Sequence, residues 1–186
     1  EEKTKRCFFR RLERALKFRL NYYKDQITSR QMGQNSFRLC FGESDGLPGL
    51  IVDLYESDSG SGYAVVQCHS AGADNFIPWL QEWLDGVLGI KNGMIRNDID
   101  VRKRESVDLY TQEWGVLPKT IYALEGGVRF FIDPKVGQKT GFYYDHRENR
   151  LQLAKVLKNR NENSRILDCF SYTGAWGLQG TNKKAL

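Results

Sequence analysis

Histidine is almost missing from these 186 residues: the chain has only His69 and His146. Two imidazoles give little from which to build a metal centre. The four cysteines, Cys7, Cys40, Cys68 and Cys169, stand far apart and never form a C-x-x-C pair. That argues against a zinc site or a disulfide scaffold and favours free thiols in a reducing, cytoplasmic compartment. No apolar run approaches the length of a bilayer span and the first residues are charged, so neither a membrane helix nor a signal peptide is expected. There is no internal repeat, no low-complexity segment and no G-x-G-x-x-G dinucleotide turn. His146 has no nucleophile motif beside it, which leaves a Ser/His/Asp triad without support.

What is present is the composition of a folded protein. The chain is 40% hydrophobic and 27% charged, with ten Phe, nine Tyr and four Trp, enough to bury a real core. Its net charge of +5 is unevenly placed. Residues 1–34 hold ten Lys/Arg and four Asp/Glu, a net of +6, and residues 35–186 sum to −1. The basic end could face a polyanion or could be a solvated helix face, and charge alone leaves both readings open. The chain lacks an initiator Met and starts and stops abruptly, so a piece of a longer protein is expected.

Hydrophobic periodicity orders the chain. Phe9, Leu12, Leu16, Leu20 and Tyr23 recur at helical steps within residues 5–24, with Arg10, Arg11, Arg14 and Lys17 on other faces. Polar residues from Asp25 to Ser36 read as a loop. Strands are expected at Phe37–Phe41, Leu50–Tyr55 and Tyr63–His69, with the glycine-rich turn Gly42–Gly49 after the first. A helix over about 74–88 would bury Phe76, Trp79, Leu80, Trp83, Leu84, Val87 and Leu88. A short strand at Gly93–Asn97 follows, and Glu113–Thr120 reads as loop. Tyr122–Glu125 and Val128–Asp133, joined by Gly126-Gly127, form a hairpin. A helix from Tyr144 or Asp145 to about Asn159 places Leu151, Ala154 and either Leu157 or Lys158 on one face. After a polar loop at Asn159–Ser164, Arg165–Cys169 reads as a buried strand that opens a new helix, with Cys169 as core packing. The expected class is α/β with α+β. A basic connecting helix and loop (1–34) precedes a small β-β-α-β-β central domain (35–120), and 121–186 begins an α/β layer.

Two stretches carry the chemistry. Asp168 stands where the last strand ends, and ligands of open α/β sheets bind beyond the carboxyl ends of strands. The loop Phe170-Ser171-Tyr172-Thr173-Gly174 offers hydroxyl donors and aromatic faces suited to a cationic or adenine-bearing ligand. The alternative is an ordinary helix start capped by Ser171 or Thr173. Upstream, Lys139-Thr140-Gly141-Phe142-Tyr143-Tyr144-Asp145-His146-Arg147 is dense in aromatics and charge, and Gly141 permits unusual backbone angles. Its bland reading has Asp145 capping a helix, with Arg147 and Glu148 solvated.

Taken in order, Lys139–Arg147 and Asp168–Gly174, with Gly42–Leu50 and Asp100-Val101-Arg102-Lys103 before them, resemble the RlmI-type ribosomal RNA large-subunit methyltransferases. The resemblance runs from about residue 8 to the end. It implies S-adenosylmethionine as cofactor, ribosomal RNA as substrate, and a protein with a PUA RNA-binding domain, a central domain and a Rossmann-like class I methyltransferase domain. This chain would hold the connecting helix, the central domain and only the start of the catalytic domain. By that resemblance Asp168, Phe170, Ser171, Tyr172, Thr173 and Gly174 line the methionine and sulfonium end of the cofactor, and Tyr143, Tyr144, Asp145 and Arg147 close over it. Arg10, Arg11, Arg14 and Lys17 are the candidate RNA contacts. The family's later ribose-binding acid, Asp-Pro-Pro-type motif and nucleophilic Cys are absent, so this segment is expected to hold no catalytic residue and no activity of its own. Lys139-Thr140-Gly141 leans towards the group that methylates cytosine at C5; a related group methylates guanine. A homodimer is possible in view of the many aromatics. The competing reading is an RNA-binding or ribosome-assembly module with a non-catalytic methyltransferase fold.

Overall fold

The computed structural model describes residues 1–24, 36–158 and 165–181. Of the loop expected at Asp25–Ser36 all but Ser36, and the whole of the loop expected at Asn159–Ser164, lie outside the described residues. Helix α1 (Glu2–Tyr22) buries Phe8, Leu12 and Ala15, with Phe9, Leu16 and Tyr23 partly covered and Leu20 exposed. Its inward stripe is thus rotated from the expected one. The Arg19 side chain turns inward to a bidentate pair with the Asp45 carboxylate, and Asp45 also accepts from the Phe41 N–H. A charged partner on the neighbouring loop decided which face packs.

Strands β1 (Phe37–Phe41), β2 (Leu50–Ser57) and β3 (Tyr63–Cys68) form an antiparallel set around β2. Helices α2 (Ala71–Asp74) and α3 (Ile77–Leu88) then cross over to β4 (Gly93–Arg96), which runs parallel to β3. α2 is a separate short helix, and the helix expected over about 74–88 begins instead at Ile77, with Pro78 in its first turn. Its buried stripe is Leu80, Trp83 and Leu84, while Val87 is exposed. After a 3-10 turn at Asp100–Glu105 comes β5 (Thr111–Trp114), antiparallel to β4. This strand overlaps the stretch read as loop. Three of its four residues are polar and exposed, so no apolar alternation announces it; the free edge of β4 supplies the pairing.

The hairpin β6 (Ile121–Glu125) and β7 (Val128–Ile132) turns through Gly126 and Gly127, both at positive φ, as a tight hairpin with right-handed twist requires. β6 pairs with β2 at Glu56–Tyr122 and Ser57–Ile121, so the sheet order is β5-β4-β3-β2-β6-β7, with β1 also on β2. Alternate residues of β2 and β3 feed two cores. Val52, Leu54, Ala64 and Val66 face α1 and α3. Tyr55, Tyr63 and Val65 pack with Ile121, Phe130, Phe142 and Tyr144 on the other side. With both faces covered, all eight residues of β2 are buried. A 3-10 turn at Tyr144–His146 leads into α4 (Arg147–Lys158), which turns Leu157 inward and Lys158 outward. Helix α5 (Ala175–Thr181) is the last described element.

Residues 165–168 do not form the expected strand. Leu167 is 87% exposed, and among the described residues no strand lies beside it. A strand exists through its ladder partners, and an apolar sequence without a neighbour does not make one. Cys169, expected in the core, is exposed for the same reason, whereas Cys40 and Cys68 are buried and all four thiols are free.

Candidate functional site

The site is built on the segment 133–146, which leaves β7 and crosses the second face of the sheet. Two strand residues hold it. Arg96 at the end of β4 donates to the carbonyl oxygens of Pro134 and Gly137 while pairing with Asp98 at 2.8 and 3.0 Å. Asp53 in β2, with no exposed surface, accepts two bonds from Arg38 at 2.8 Å and one from the Thr140 hydroxyl. The Tyr55 hydroxyl donates to the Thr140 carbonyl at 3.1 Å. A buried carboxylate needs such compensation, and here the compensation fixes the Lys139-Thr140-Gly141 turn. Gly141 has φ +115, and a Cβ there would stand 2.5 Å from Ile132 Cγ2; the close approach to β7 requires glycine.

A second anchor sits under α4. Glu125, at the hairpin turn, accepts from Arg150 at 2.6 Å through both Nε and Nη2 and from Arg147 at 3.4 Å, all three side chains being buried. Arg150 also donates to the Tyr143 carbonyl at 3.0 Å, and Gln179 of α5 donates to the Glu125 carbonyl. One carboxylate therefore ties the hairpin, α4, α5 and the backbone of Tyr143 together.

Between these supports lies a hollow of about 530 Å³ walled by Gln138, Phe142, Tyr143, His146, Arg150 and by Phe170–Thr173, Ala175 and Trp176. The Tyr172 hydroxyl joins its two sides, donating to Gly141 O at 3.1 Å and accepting from Gln138 N at 2.9 Å. Burial raises the pKa of that phenol, which keeps it a neutral donor. Tyr143 meets Tyr172 edge-on, and its hydroxyl reaches the Gln138 side chain. His146 lies between Tyr143 and Trp176, with ring centroids 6.3 and 5.8 Å away. Phe170 and Tyr172 both have positive φ, and Phe170 is fully exposed. Paired left-handed non-glycine residues are costly conformations of the kind that collect at ligand sites.

Of the residues expected at a cofactor, Tyr143, Phe170, Ser171, Tyr172 and Thr173 thus converge. Gly174, at φ +69, closes the turn into α5 by donating to Ser171 O. Asp168 supports the wall from behind: its carboxylate accepts the Gly177 N–H at 2.9 Å, the helix-start role that the alternative reading gave to Ser171 or Thr173. Tyr144, Asp145 and Arg147 face elsewhere. The buried Tyr144 hydroxyl donates to Leu54 O at 2.8 Å, and Asp145 lies 3.9 Å from Lys139 Nζ. Arg147 is not solvated but donates to Ser36 O and Leu124 O besides Glu125. All three line a different hollow, with α1 and β1.

Gln138, Phe142, His146, Arg150, Ala175 and Trp176 were missed as wall residues. The signal for Arg150 was its spacing from Tyr143 and His146, at three- and four-residue steps on one helical face. Arg96 and Asp53 had a clearer one: each is a charge directly following apolar strand residues, a position that demands a partner. The four residues of α1 expected to contact RNA, Arg10, Arg11, Arg14 and Lys17, are all exposed and share a surface depression. Among the described residues no cluster of His, Cys, Asp or Glu could hold a metal ion, and no helix is long and apolar enough to cross a membrane.

No protein-family model matches the chain. Among solved structures, a candidate S-adenosylmethionine-dependent methyltransferase from Streptococcus mutans superposes with a TM-score of 0.61 at 16% identity, over 92% of this chain and 42% of that one. A second, a candidate methyltransferase complexed with SAH, gives 0.62 at 17% identity over 92% of this chain and 41% of the other. The mixed α/β fold is therefore one also found in those proteins. Curated relatives are closer in sequence. Ribosomal RNA large subunit methyltransferase I of Aliivibrio fischeri is 36% identical over 176 residues, and that of Vibrio cholerae 38% over 176. Each match covers 92% of this chain and 40% of the relative. Along nearly its whole length the chain is similar to ribosomal RNA large subunit methyltransferase I, and it spans about 40% of the length of those relatives.

Proposed function

We propose that this chain is the part of an S-adenosylmethionine-dependent ribosomal RNA methyltransferase that carries the basic connecting helix (1–34), the central domain (35–120) and the first segment of the catalytic domain (121–186). The observation that carries the reading is the convergence of Tyr143 with Phe170–Thr173 across one hollow, the two stretches in which the sequence resembles the family. The hollow fits the cofactor: its volume is in the range of small-molecule sites, and its walls are aromatic. Arg150, the one cation in the wall, is held by a two-point pair with Glu125, so a sulfonium meets ring faces rather than an unpaired guanidinium.

When bound, the cofactor supplies an activated methyl group. The chain's own residues bind and orient it. Tyr143 and Tyr172 set the width of the slot through the Gln138 and Gly141 bonds, Ser171 and Thr173 offer hydroxyls, and Phe170 is placed to fold over a ligand from the solvent side. The methyl acceptor in this reading is C5 of a cytosine, supported by Lys139-Thr140-Gly141. That chemistry needs a thiolate to attack C6, and burial pushes the thiols of Cys40 and Cys68 up to about 12. By the family resemblance, not by elimination among the four thiols, the nucleophile is assigned to the part of the relatives' length not spanned here, and so are the strands that would pair with residues 165–168. Isothermal calorimetry of the intact protein with S-adenosylhomocysteine tests the reading. Binding that weakens at least tenfold in a Phe170→Ala/Tyr172→Ala variant is expected; no heat of binding from the intact protein refutes it.

A further inference from the structure

The second hollow, between α1, β1 and the start of α4, is absorbed by nothing above. It encloses about 370 Å³ and is rimmed by large aromatic side chains left in solvent: Phe18 is 60% exposed, Tyr22 58% and Phe41 50%. Isolated exposed aromatics need no explanation, but three around one depression do. Phe18 and Tyr22 are stacked, with ring centroids 6.0 Å apart and planes 20° from parallel. Guanidinium groups back the shelf, Arg19 over Phe18 and Arg38 over Phe41, each 5.3 Å from the ring centroid. Both are pinned by buried carboxylates, Arg19 by Asp45 and Arg38 by Asp53. The rings are therefore held as a fixed platform, at little further entropic cost on binding.

The sequence spacing gives the platform a direction. Arg10, Arg14, Phe18 and Tyr22 follow one another at four-residue steps and lie along one slowly winding stripe of α1. The first half of that stripe is cationic and, with Arg11 and Lys17, forms a basic surface depression. The second half is aromatic and opens into the hollow. Cations that track a backbone, leading to ring faces on which bases stack, form the pattern of single-stranded nucleic-acid binding. Asp145 at the hollow's rim adds an acceptor for the amino groups on base edges. A duplex keeps its bases stacked and offers none of them to the platform.

We infer that the stripe Arg10–Arg14–Phe18–Tyr22, with Phe41, is a docking shelf for an unpaired stretch of RNA, whose phosphates lie along the arginines and whose bases stack on Phe18, Tyr22 and Phe41. The inference rests on the proposed RNA substrate and adds where, and in what form, the chain holds it.

The test uses the intact protein, a fluorescein-labelled single-stranded RNA of mixed sequence and the matching duplex, read by anisotropy over a range of salt. Single strands should bind more tightly than duplex. Phe18→Ala/Tyr22→Ala should weaken single-strand binding by on the order of tenfold for each base that loses its platform, with the salt slope unchanged. Arg10→Gln/Arg14→Gln should instead flatten that slope by about 1.4, for two phosphates released. Phe18→Tyr/Tyr22→Phe should retain affinity. All of these side chains are largely exposed, and circular dichroism of each variant checks the fold. Equal affinity for duplex, or wild-type single-strand affinity in Phe18→Ala/Tyr22→Ala, overturns the shelf. Calorimetry with S-adenosylhomocysteine on the intact protein separates the two readings. Absence of cofactor heat alongside shelf-dependent RNA binding refutes the methyltransferase and supports the shelf; cofactor heat without shelf-dependent binding does the reverse.

Discussion

Replacing Glu125 with glutamine would remove the one anion from a buried group of three charges while leaving its volume almost unchanged. Its side chain has no exposed surface, and those of Arg150 and Arg147 are 1% and 5% exposed. Neither guanidinium can turn to water without leaving α4's inner face. Breaking a buried ion pair by removing one partner costs about 3–5 kcal/mol, because the other charge stays desolvated and uncompensated. Two cations are stranded here. Glutamine keeps an acceptor for Arg150, so about 3 kcal/mol is expected for Glu125→Gln and about 5 kcal/mol for Glu125→Leu. At about 2–4 °C per kcal/mol for a chain of this size, Glu125→Gln should lower Tm by roughly 6–12 °C. Urea unfolding followed by circular dichroism gives the free energies directly. The double variant Glu125→Leu/Arg150→Met removes both the anion and its closest cation, and it should recover part of the loss despite carrying two changes. A loss under about 1 kcal/mol in Glu125→Gln, or a double variant no more stable than Glu125→Leu, would refute the reasoning. Cofactor affinity should fall in parallel, because Arg150 holds the Tyr143 carbonyl and Gln179 ties α5 to the Glu125 carbonyl.

Two further outcomes follow from single positions. Gly141→Ala places a Cβ 2.5 Å from Ile132 Cγ2 at a backbone angle of +115°; a loss of about 1–3 kcal/mol in urea unfolding is expected, with weaker binding of S-adenosylhomocysteine as the turn shifts. Burial lowers the pKa of His69, outweighing the opposing pull of Glu43. The unfolded imidazole therefore takes up a proton first. Stability should be highest above about pH 6.5, fall as the pH drops through that value, and level off below the folded pKa. His69→Gln should flatten that part of the urea-midpoint profile, and an unchanged profile would remove His69 as the cause.

Where a segment's own pattern decides its conformation, the sequence was readable. The length of α1, the β2–β3 pair and the Gly126-Gly127 hairpin follow from periodicity and turn chemistry. Partners in space settle the rest. Ile166-Leu167 has the composition of a buried strand yet lies exposed, because a ladder neighbour is what turns such a run into a strand. Thr111–Trp114 has no strand pattern and is one, because β4 offers an edge. The buried stripe of α1 turned on Asp45, a residue a single helix cannot see. The candidate site divides in the same way. Tyr143 and Phe170–Thr173 were legible through motif resemblance, and the hollow joins them. Tyr144 and Arg147, adjacent in sequence to Tyr143, were drawn to Leu54 and Glu125 by bonds that no spacing reveals.

The branching of β2 bears on how the molecule assembles. One edge of that strand is taken by β3, and the other is shared end to end, with β1 on residues 51–54 and β6 on residues 56 and 57. The two tenants meet at Ser36, whose hydroxyl donates to Tyr122 O at 3.2 Å. β1 and β3 close on β2 over short stretches of chain. β6 must return from beyond β5, a loop closure rewarded only once its landing place exists. The hairpin, and the segment 133–146 that hangs from it, are therefore expected to dock late in folding. An error that lets β1 overrun Ser36 would bar the hairpin from its berth and leave the hollow without a floor.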